Sequence, residues 1–203
     1  MIDHPLATVP GLPQPLRQVG GAGEWRVTAD RALTLEAGGR TDWFIDPDSG
    51  SITRNAPALV MPTEGSWMLS ALVSADHRAT FDAAVLVVHV SDNVWAKLCL
   101  ELSPEGEVTV VSVVTQGFSD DCNSVPVHGA PTHLRISRLE HAFAFHYSTD
   151  GTHWNLVRYF SLGVDQGIDV GFLAQSPTGN GCTADFQVIE FVPDKLMHIR
   201  SGA

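Results

Sequence analysis

Across its 203 residues the chain shows almost no apolar spacing of three and four. It carries instead short runs of β-branched and aromatic residues, each closed off by Gly, Pro, Asp, Asn or Ser. A helix needs an apolar stripe recurring every 3.6 residues, whereas a strand alternates its side chains between two faces. This pattern therefore confines the chain to an all-β fold. Candidate strands cover residues 24–28, 32–37, 42–46, 67–75, 84–90, 94–102 and 107–115. A second series covers 132–138, 142–148, 154–161, 167–174 and 184–192, with one or two helical turns placed near 162–166. Asp150-Gly151 marks a turn, because Gly accepts the positive φ that a tight reversal demands. No fixed-period repeat and no linker divides the chain, which predicts a single domain, residues 1–203, built as a two-sheet antiparallel jelly-roll sandwich. Its core is expected at about 24–192, with the Pro- and Gly-rich segment 1–23 draped over the surface.

Composition narrows the function. Hydrophobic residues make up 44% and charged ones 17%, enough apolar material for a packed core and too much for a disordered chain. Twelve Lys and Arg stand against 23 Asp and Glu, a net charge of −11 that disfavours nucleic acid, whose binding needs a basic face. No apolar run is long enough to span a membrane. Residues 1–15 lack a basic region followed by an apolar one and carry Pro5, Pro10, Pro13 and Pro15, which argues against a signal peptide. Cys99, Cys122 and Cys182, odd in number and without C-x-x-C spacing, read as reduced thiols of a cytoplasmic protein.

The segment 84–102 permits a register argument. With Ser91-Asp92-Asn93 as the loop, Val90 faces Val94, His89 faces Trp95, Val88 faces Ala96 and Val87 faces Lys97. One face then carries Ala84, Leu86, Val88, Ala96, Leu98 and Leu100, an apolar core face. The other carries His89, Trp95, Lys97, Cys99 and Glu101. A solvated face would be more polar and a buried one would exclude Lys97 and Glu101, so this mixed face reads as a sheltered concave surface where a ligand lies.

The run Val94-Trp95-Ala96-Lys97-Leu98-Cys99-Leu100-Glu101 resembles the W-x-K-x-x-x-E strand of a largely uncharacterised family of concanavalin A-like domains, which includes fungal proteins described as regulators of enolase. Thr41-Asp42-Trp43-Phe44 is similar to the family's T-D-[FW]-W element, and Thr115-Gln116-Gly117-Phe118-Ser119-Asp120 to its T-x-G-[FY]-S-D element. Leu134-Arg135-Ile136-Ser137-Arg138 with Tyr147-Ser148-Thr149-Asp150-Gly151-Thr152-His153-Trp154 resembles the superfamily's R-x-x-R … Y-S-x-D-G-x-x-W hairpin. Gly171-Phe172-Leu173-Ala174-Gln175-Ser176-Pro177 resembles its G-x-x-A-x-S-P strand end. The chain departs from the pattern at Asp121, where the family often has Trp. The resemblance implies a concanavalin A-like jelly roll with one concave sheet, and no settled activity.

Retaining glycoside hydrolysis needs two carboxylates about 5–5.5 Å apart. The related glucanases supply them from one strand as E-x-D-x-x-E or E-x-D-x-E, a string absent here, so the sequence leans away from an enzyme. If catalysis occurs, Glu101 and Lys97 are the acid–base candidates. Lectin-type binding asks less: an aromatic face for the sugar ring, with amide, carboxylate and ammonium groups for its hydroxyls. Asp42, Trp43, His89, Trp95, Lys97, Glu101 and Gln175 are the candidate ligand-binding residues, although Trp43 and Trp95 read equally as core aromatics, and Lys97 with Glu101 as an ion pair. Cofactor expectation is none. If calcium binds, Asp120, Asp121 and Asn123 offer oxygens, while Asp46-Pro47-Asp48-Ser49-Gly50 opens like a calcium loop without its closing acid. His141 with His146, and His128 with His133, lack the partners zinc requires. Three functions remain open: a domain binding a carbohydrate or small sugar-derived metabolite, an intracellular regulatory domain binding another protein, and a glycosidase-like enzyme of sugar metabolism.

Overall fold

The computed structural model describes residues 6–28, 32–128 and 131–203. No helix occurs among them, hence none long and apolar enough to cross a membrane. The first large sheet runs in the order β1 (Arg17–Gly20), β6 (Pro57–Thr63), β15 (Ile168–Gln175), β8 (Ala83–Ser91), β9 (Val94–Leu102), β10 (Val108–Gln116) and β11 (Phe118–Pro126). The second runs β14 (Asn155–Phe160), β13 (Phe143–Ser148), β12 (Thr132–Arg138), β7 (Trp67–Ala75), β16 (Gly181–Val192), β3 (Leu33–Gly38) and β2 (Gly23–Val27). A small hairpin, β4 (Trp43–Ile45) with β5 (Ile52–Arg54), stands apart. Every pairing is antiparallel. The protein is a two-sheet antiparallel β-sandwich.

Alternation explains where the core sits. Leu86, Val88, Leu98 and Leu100 point inward from the first sheet and meet Leu69, Val73, Leu134, Ile136 and Phe145 from the second. Each such side chain withdrawn from water contributes about 1.5–3 kcal/mol. The opposite residues of the first sheet, among them Val85, Val87, Trp95, Cys99, Val111 and Val113, form a second apolar layer, roofed by Trp43 and Ile45 of β4. The 42–46 strand therefore folds over the outer face of the first sheet instead of joining either large sheet.

The expected β8–β9 register holds at His89↔Trp95, Val88↔Ala96 and Val87↔Lys97. Nearer the loop Ser91, not Val90, faces Val94, because Val90 is the extra residue of a bulge. Three further expectations change. Residues 162–166 form bends and no helical turn, since Gly163 and Gly167 both take positive φ, at 67° and 68°. The N-terminal segment does more than drape: Ala7, Val9 and Leu16 enter the main core and β1 extends the first sheet, while residues 1–5 lie outside the described residues. Strands β1, β5, β6 and β11 add to the expected set.

At the other end, residues 193–203 pack on the outer face of the second sheet. Leu196 is buried beside Leu139 and Ala144. His146 Nε2 donates to the Ile199 carbonyl at 2.7 Å and Arg135 Nη2 to the Gly202 carbonyl at 2.5 Å.

Candidate functional site: a polar cavity on the first sheet

Lys97 sits mid-strand in β9, on the outer face, and is only 1% exposed. Burying an ammonium is costly unless its donors are met. Two are: Lys97 Nζ donates to Asp42 Oδ1 at 2.8 Å and to Gln175 Oε1 at 2.9 Å. Asp42 stands just ahead of β4, and a backbone bridge between Thr41 and Ser176 brings it beside the end of β15, where Gln175 lies. The Gln175 amide is fully engaged, because its Nε2 donates to Glu101 Oε2 at 3.2 Å and to the Phe81 carbonyl at 3.2 Å. Lys97 and Glu101 thus share a face, as the register predicts, but are linked through Gln175; the ion pair of Lys97 is with Asp42.

These groups line a cavity of about 140 Å³ together with Asp121, Phe44, Phe81 and Val113. Its electrostatics are uneven. Burial works to lower the Lys97 pKa, but the Asp42 carboxylate beside it prevails and the pKa is raised. Burial pushes the Glu101 carboxyl up to about 8, with Lys97 opposing and Asp121 and Asp42 reinforcing. Asp121 is likewise raised, by burial first, against the pull of Lys97. At neutral pH Glu101 is therefore a proton-bearing carboxyl, able to donate as well as accept.

The remaining candidates lie elsewhere. Trp43 and Trp95 are fully buried, with their rings edge-to-face at 5.9 Å. Trp43 Nε1 donates to the Ala56 carbonyl at 2.9 Å, and the Arg54 guanidinium covers Trp43 at 4.5 Å and Trp95 at 5.6 Å. Neither ring faces the cavity. His89 lies between Arg54 and Asp169: Arg54 Nη2 is 2.9 Å from His89 Nε2, and His89 Nδ1 is 3.3 Å from Asp169 Oδ2. Since Arg only donates, Nε2 accepts and Nδ1 carries the proton. His89 borders a larger depression of about 810 Å³, where Arg17 and Asp169 pair with each other and Arg138 donates to the Thr63 and Asp165 carbonyls, with Glu64 and Asp165 also on its wall.

The calcium candidates are not gathered. Neighbouring strand residues point to opposite faces, so Asp120 pairs with Arg158 at 2.9 Å while Asp121 lines the cavity. Asp46 spends its Oδ1 on Asp48 N, Ser49 N and Ser49 Oγ, an Asx turn. Among the described residues no three His, Cys, Asp or Glu side chains stand together as metal ligands. The three cysteines are free, Cys99 and Cys182 buried and Cys122 exposed.

Phe81 and Phe44 are site residues that pattern reading passes over. Phe81 has a φ of +73°, a conformation bulky residues rarely adopt. It is held there by Phe81 N donating to the Leu102 carbonyl at 2.7 Å and by Gln175 on its own carbonyl. Strain of this kind concentrates at functional sites. Phe44 was within reach of the alternation argument, as the residue between two buried neighbours, Trp43 and Ile45. Phe81 sits in a loop, and nothing in Thr80-Phe81-Asp82 marks it.

A family described as "Protein of unknown function (DUF1349)" matches residues 21–193. The chain belongs to that family. It is similar to "Regulation of enolase protein 1" of Saccharomyces cerevisiae, at 26% identity over 157 residues, covering 76% of this chain and 78% of the relative. A solved structure of a functionally unknown protein from the same yeast superposes with a TM-score of 0.80 at 22% identity, covering 87% of this chain and 95% of that one. The GH43 BlXynB protein from Bacillus licheniformis superposes at 0.64 with 19% identity, covering 84% of this chain and 34% of its own. The chain thus spans about a third of that glycosidase, and the likeness is one of fold.

Proposed function

We propose that the chain is a lectin-like domain that binds a carbohydrate or small sugar-derived metabolite in the cavity formed by Asp42, Lys97, Glu101 and Gln175. One observation carries the reading: an ammonium 1% exposed is kept at the wall of an accessible cavity, amid carboxyl groups and two phenyl rings. Apolar residues would fill the same space without the desolvation cost of Lys97, so stability alone does not account for the arrangement. Donors and acceptors beside an aromatic wall suit a sugar, whose hydroxyls hydrogen-bond while its C–H face packs on a ring. Phe44 and Phe81 take the stacking role, and Trp43 and Trp95 belong to the neighbouring apolar layer. The binding reading assigns the ligand to residues 24–192 as one sandwich unit of a cytoplasmic protein.

A second reading, a glycosidase-like enzyme, draws on the contrast between protonated Glu101 and its charged neighbour Asp42, the pairing that acid–base catalysis uses. The regulatory, protein-binding reading draws on the name of the yeast relative alone. Titration of the full chain with mono- and oligosaccharides, followed by amide chemical shifts, tests the proposal. Saturable shifts around Gln175 and Phe81, weakened at least about tenfold in Gln175→Leu, are expected. Absence of shifts at millimolar sugar removes it. Turnover of a glycoside abolished in a folded Glu101→Gln variant would instead establish the enzyme.

A further inference from the structure

Resting on the binding reading above, we infer that this cavity recognises an uncharged polyhydroxylated ligand of about one sugar ring and turns away its phosphorylated and carboxylated counterparts. Three features of the lining point this way. The first is size: about 140 Å³ falls well below the roughly 300–1,000 Å³ of pockets for drug-sized ligands. One ring or a linear polyol of similar bulk fits, and a chain of several sugars does not.

The second is charge. Three carboxyl groups, on Asp42, Glu101 and Asp121, share the cavity with one ammonium, and no arginine lines it. The ammonium is already committed to Asp42 and Gln175, leaving one of its three donor positions. A phosphate or carboxylate would enter a space where its natural partner is occupied by the Asp42 carboxylate, a like charge standing beside it.

The third is the balance of donors and acceptors. An anionic ligand group only accepts, whereas each hydroxyl both donates and accepts. Free for a ligand are the third Lys97 N–H, the Glu101 carboxyl beyond its bond to Gln175, and Asp42 Oδ2, whose companion Oδ1 holds Lys97 and the Trp43 N–H. Burial keeps a proton on Glu101 at neutral pH, so its carboxyl adds one donor. Hydroxyls satisfy this mixed set; a phosphate leaves Asp42 Oδ2 facing another acceptor. The Gln175 amide, with no donor left over, acts as a positioning group that holds Lys97 and Glu101 apart.

The test pairs neutral probes with charged relatives. The full chain at pH 6.5 is titrated with glucose, galactose, xylose and sorbitol, then with glucose 6-phosphate, galactose 1-phosphate and glucuronate, following the Gln175 side-chain amide by NMR. A neutral probe that binds at least about tenfold more tightly than its charged relative supports the inference. Asp121→Asn, on the edge strand β11 at the cavity wall and outside the apolar core, removes one carboxyl group and should narrow that gap several-fold. Charged probes binding as tightly as neutral ones at the same residues would overturn the inference and leave the sugar-binding reading standing. If no probe moves the Gln175 amide at millimolar concentration, both fall.

Discussion

Phe81 holds a backbone conformation that glycine would adopt freely, and yet a large ring stands there, 37% exposed, at the cavity. The strain is not offset by burial, so the ring is kept for what it contacts. Phe81→Gly separates the two effects. Relief of positive φ is expected to stabilise the fold by up to about 1 kcal/mol, so that the thermal midpoint stays at or above the wild-type value. Loss of the ring should weaken sugar binding at least about tenfold. Calorimetric melting alongside ligand titration reads both, and a variant that binds normally would remove Phe81 from the site. The site residues differed in how far sequence could reach them. Lys97 and Glu101 stand out because charges on an otherwise apolar strand face are costly to bury. Asp42 and Gln175 came from resemblance and find their place through the Thr41–Ser176 bridge, a contact between residues 135 positions apart that no local pattern reveals. The two tryptophans read in sequence as ligand platforms or as core aromatics; the core is where they lie, because β4 folds across the outer face of the first sheet, a tertiary fact.

Among the strands, those with alternating or β-branched runs were readable, and β7, β9 and β12 match their expected bounds. The others failed for separate physical reasons. β11 is polar along most of its length, Phe-Ser-Asp-Asp-Cys-Asn-Ser-Val-Pro, and reads as a loop; as an edge strand it needs only the backbone ladder to β10. β6 carries prolines at both ends of an apolar run, which argues against a strand inside a sheet. It escapes the penalty because Pro57 opens the strand, and β1 pairs only with Pro57–Val60, so Pro62 has no neighbour on that side. β1 and β5 are too short to show a period. The β6–β15 contact also leaves no room for a side chain at Gly171. A Cβ built on Gly171 would lie 1.9 Å from the Leu59 carbonyl oxygen, a backbone atom that cannot yield without breaking the ladder. Gly171→Ala is therefore expected to cost about 3 kcal/mol or more, beyond ordinary overpacking. Urea unfolding gives the value, and a loss under about 1 kcal/mol would show that the two strands can part.

Two buried groups on opposite outer faces of the sandwich bias its stability in opposite directions with pH. His146, held by the Ile199 carbonyl beneath the C-terminal segment, is pushed down to about 4 by burial, with the Ile199 bond opposing and Arg135 reinforcing. Between about 6.5 and 4 the unfolded chain takes up a proton that native His146 refuses, so its contribution is lost as pH falls through that window. Glu101, beside Lys97, Asp42 and Asp121, has the reverse sign: its native pKa of about 8 exceeds the ordinary 4.5. Its contribution is present in full below about 4.5 and is lost as pH rises towards 8. The two slopes oppose one another between 4.5 and 6.5, and above 6.5 only Glu101 acts. Stability is therefore expected to be nearly flat across the lower interval and to decline from pH 6.5 to 8, by an amount on the order of a few kcal/mol. Glu101→Gln keeps the acceptor for Gln175 and carries no titrating proton, so it should abolish that decline and exceed the wild type in stability at pH 8. His146→Gln should leave the decline above pH 6.5 intact and extend it downward, so that stability rises steadily as pH falls from 8 to about 4.5. Urea midpoints of the three proteins between pH 4 and 9 decide it. A wild-type midpoint that rises from pH 6.5 to 8 would mean that Glu101 is ionised in the native cavity, and the carboxyl would then serve a sugar only as an acceptor.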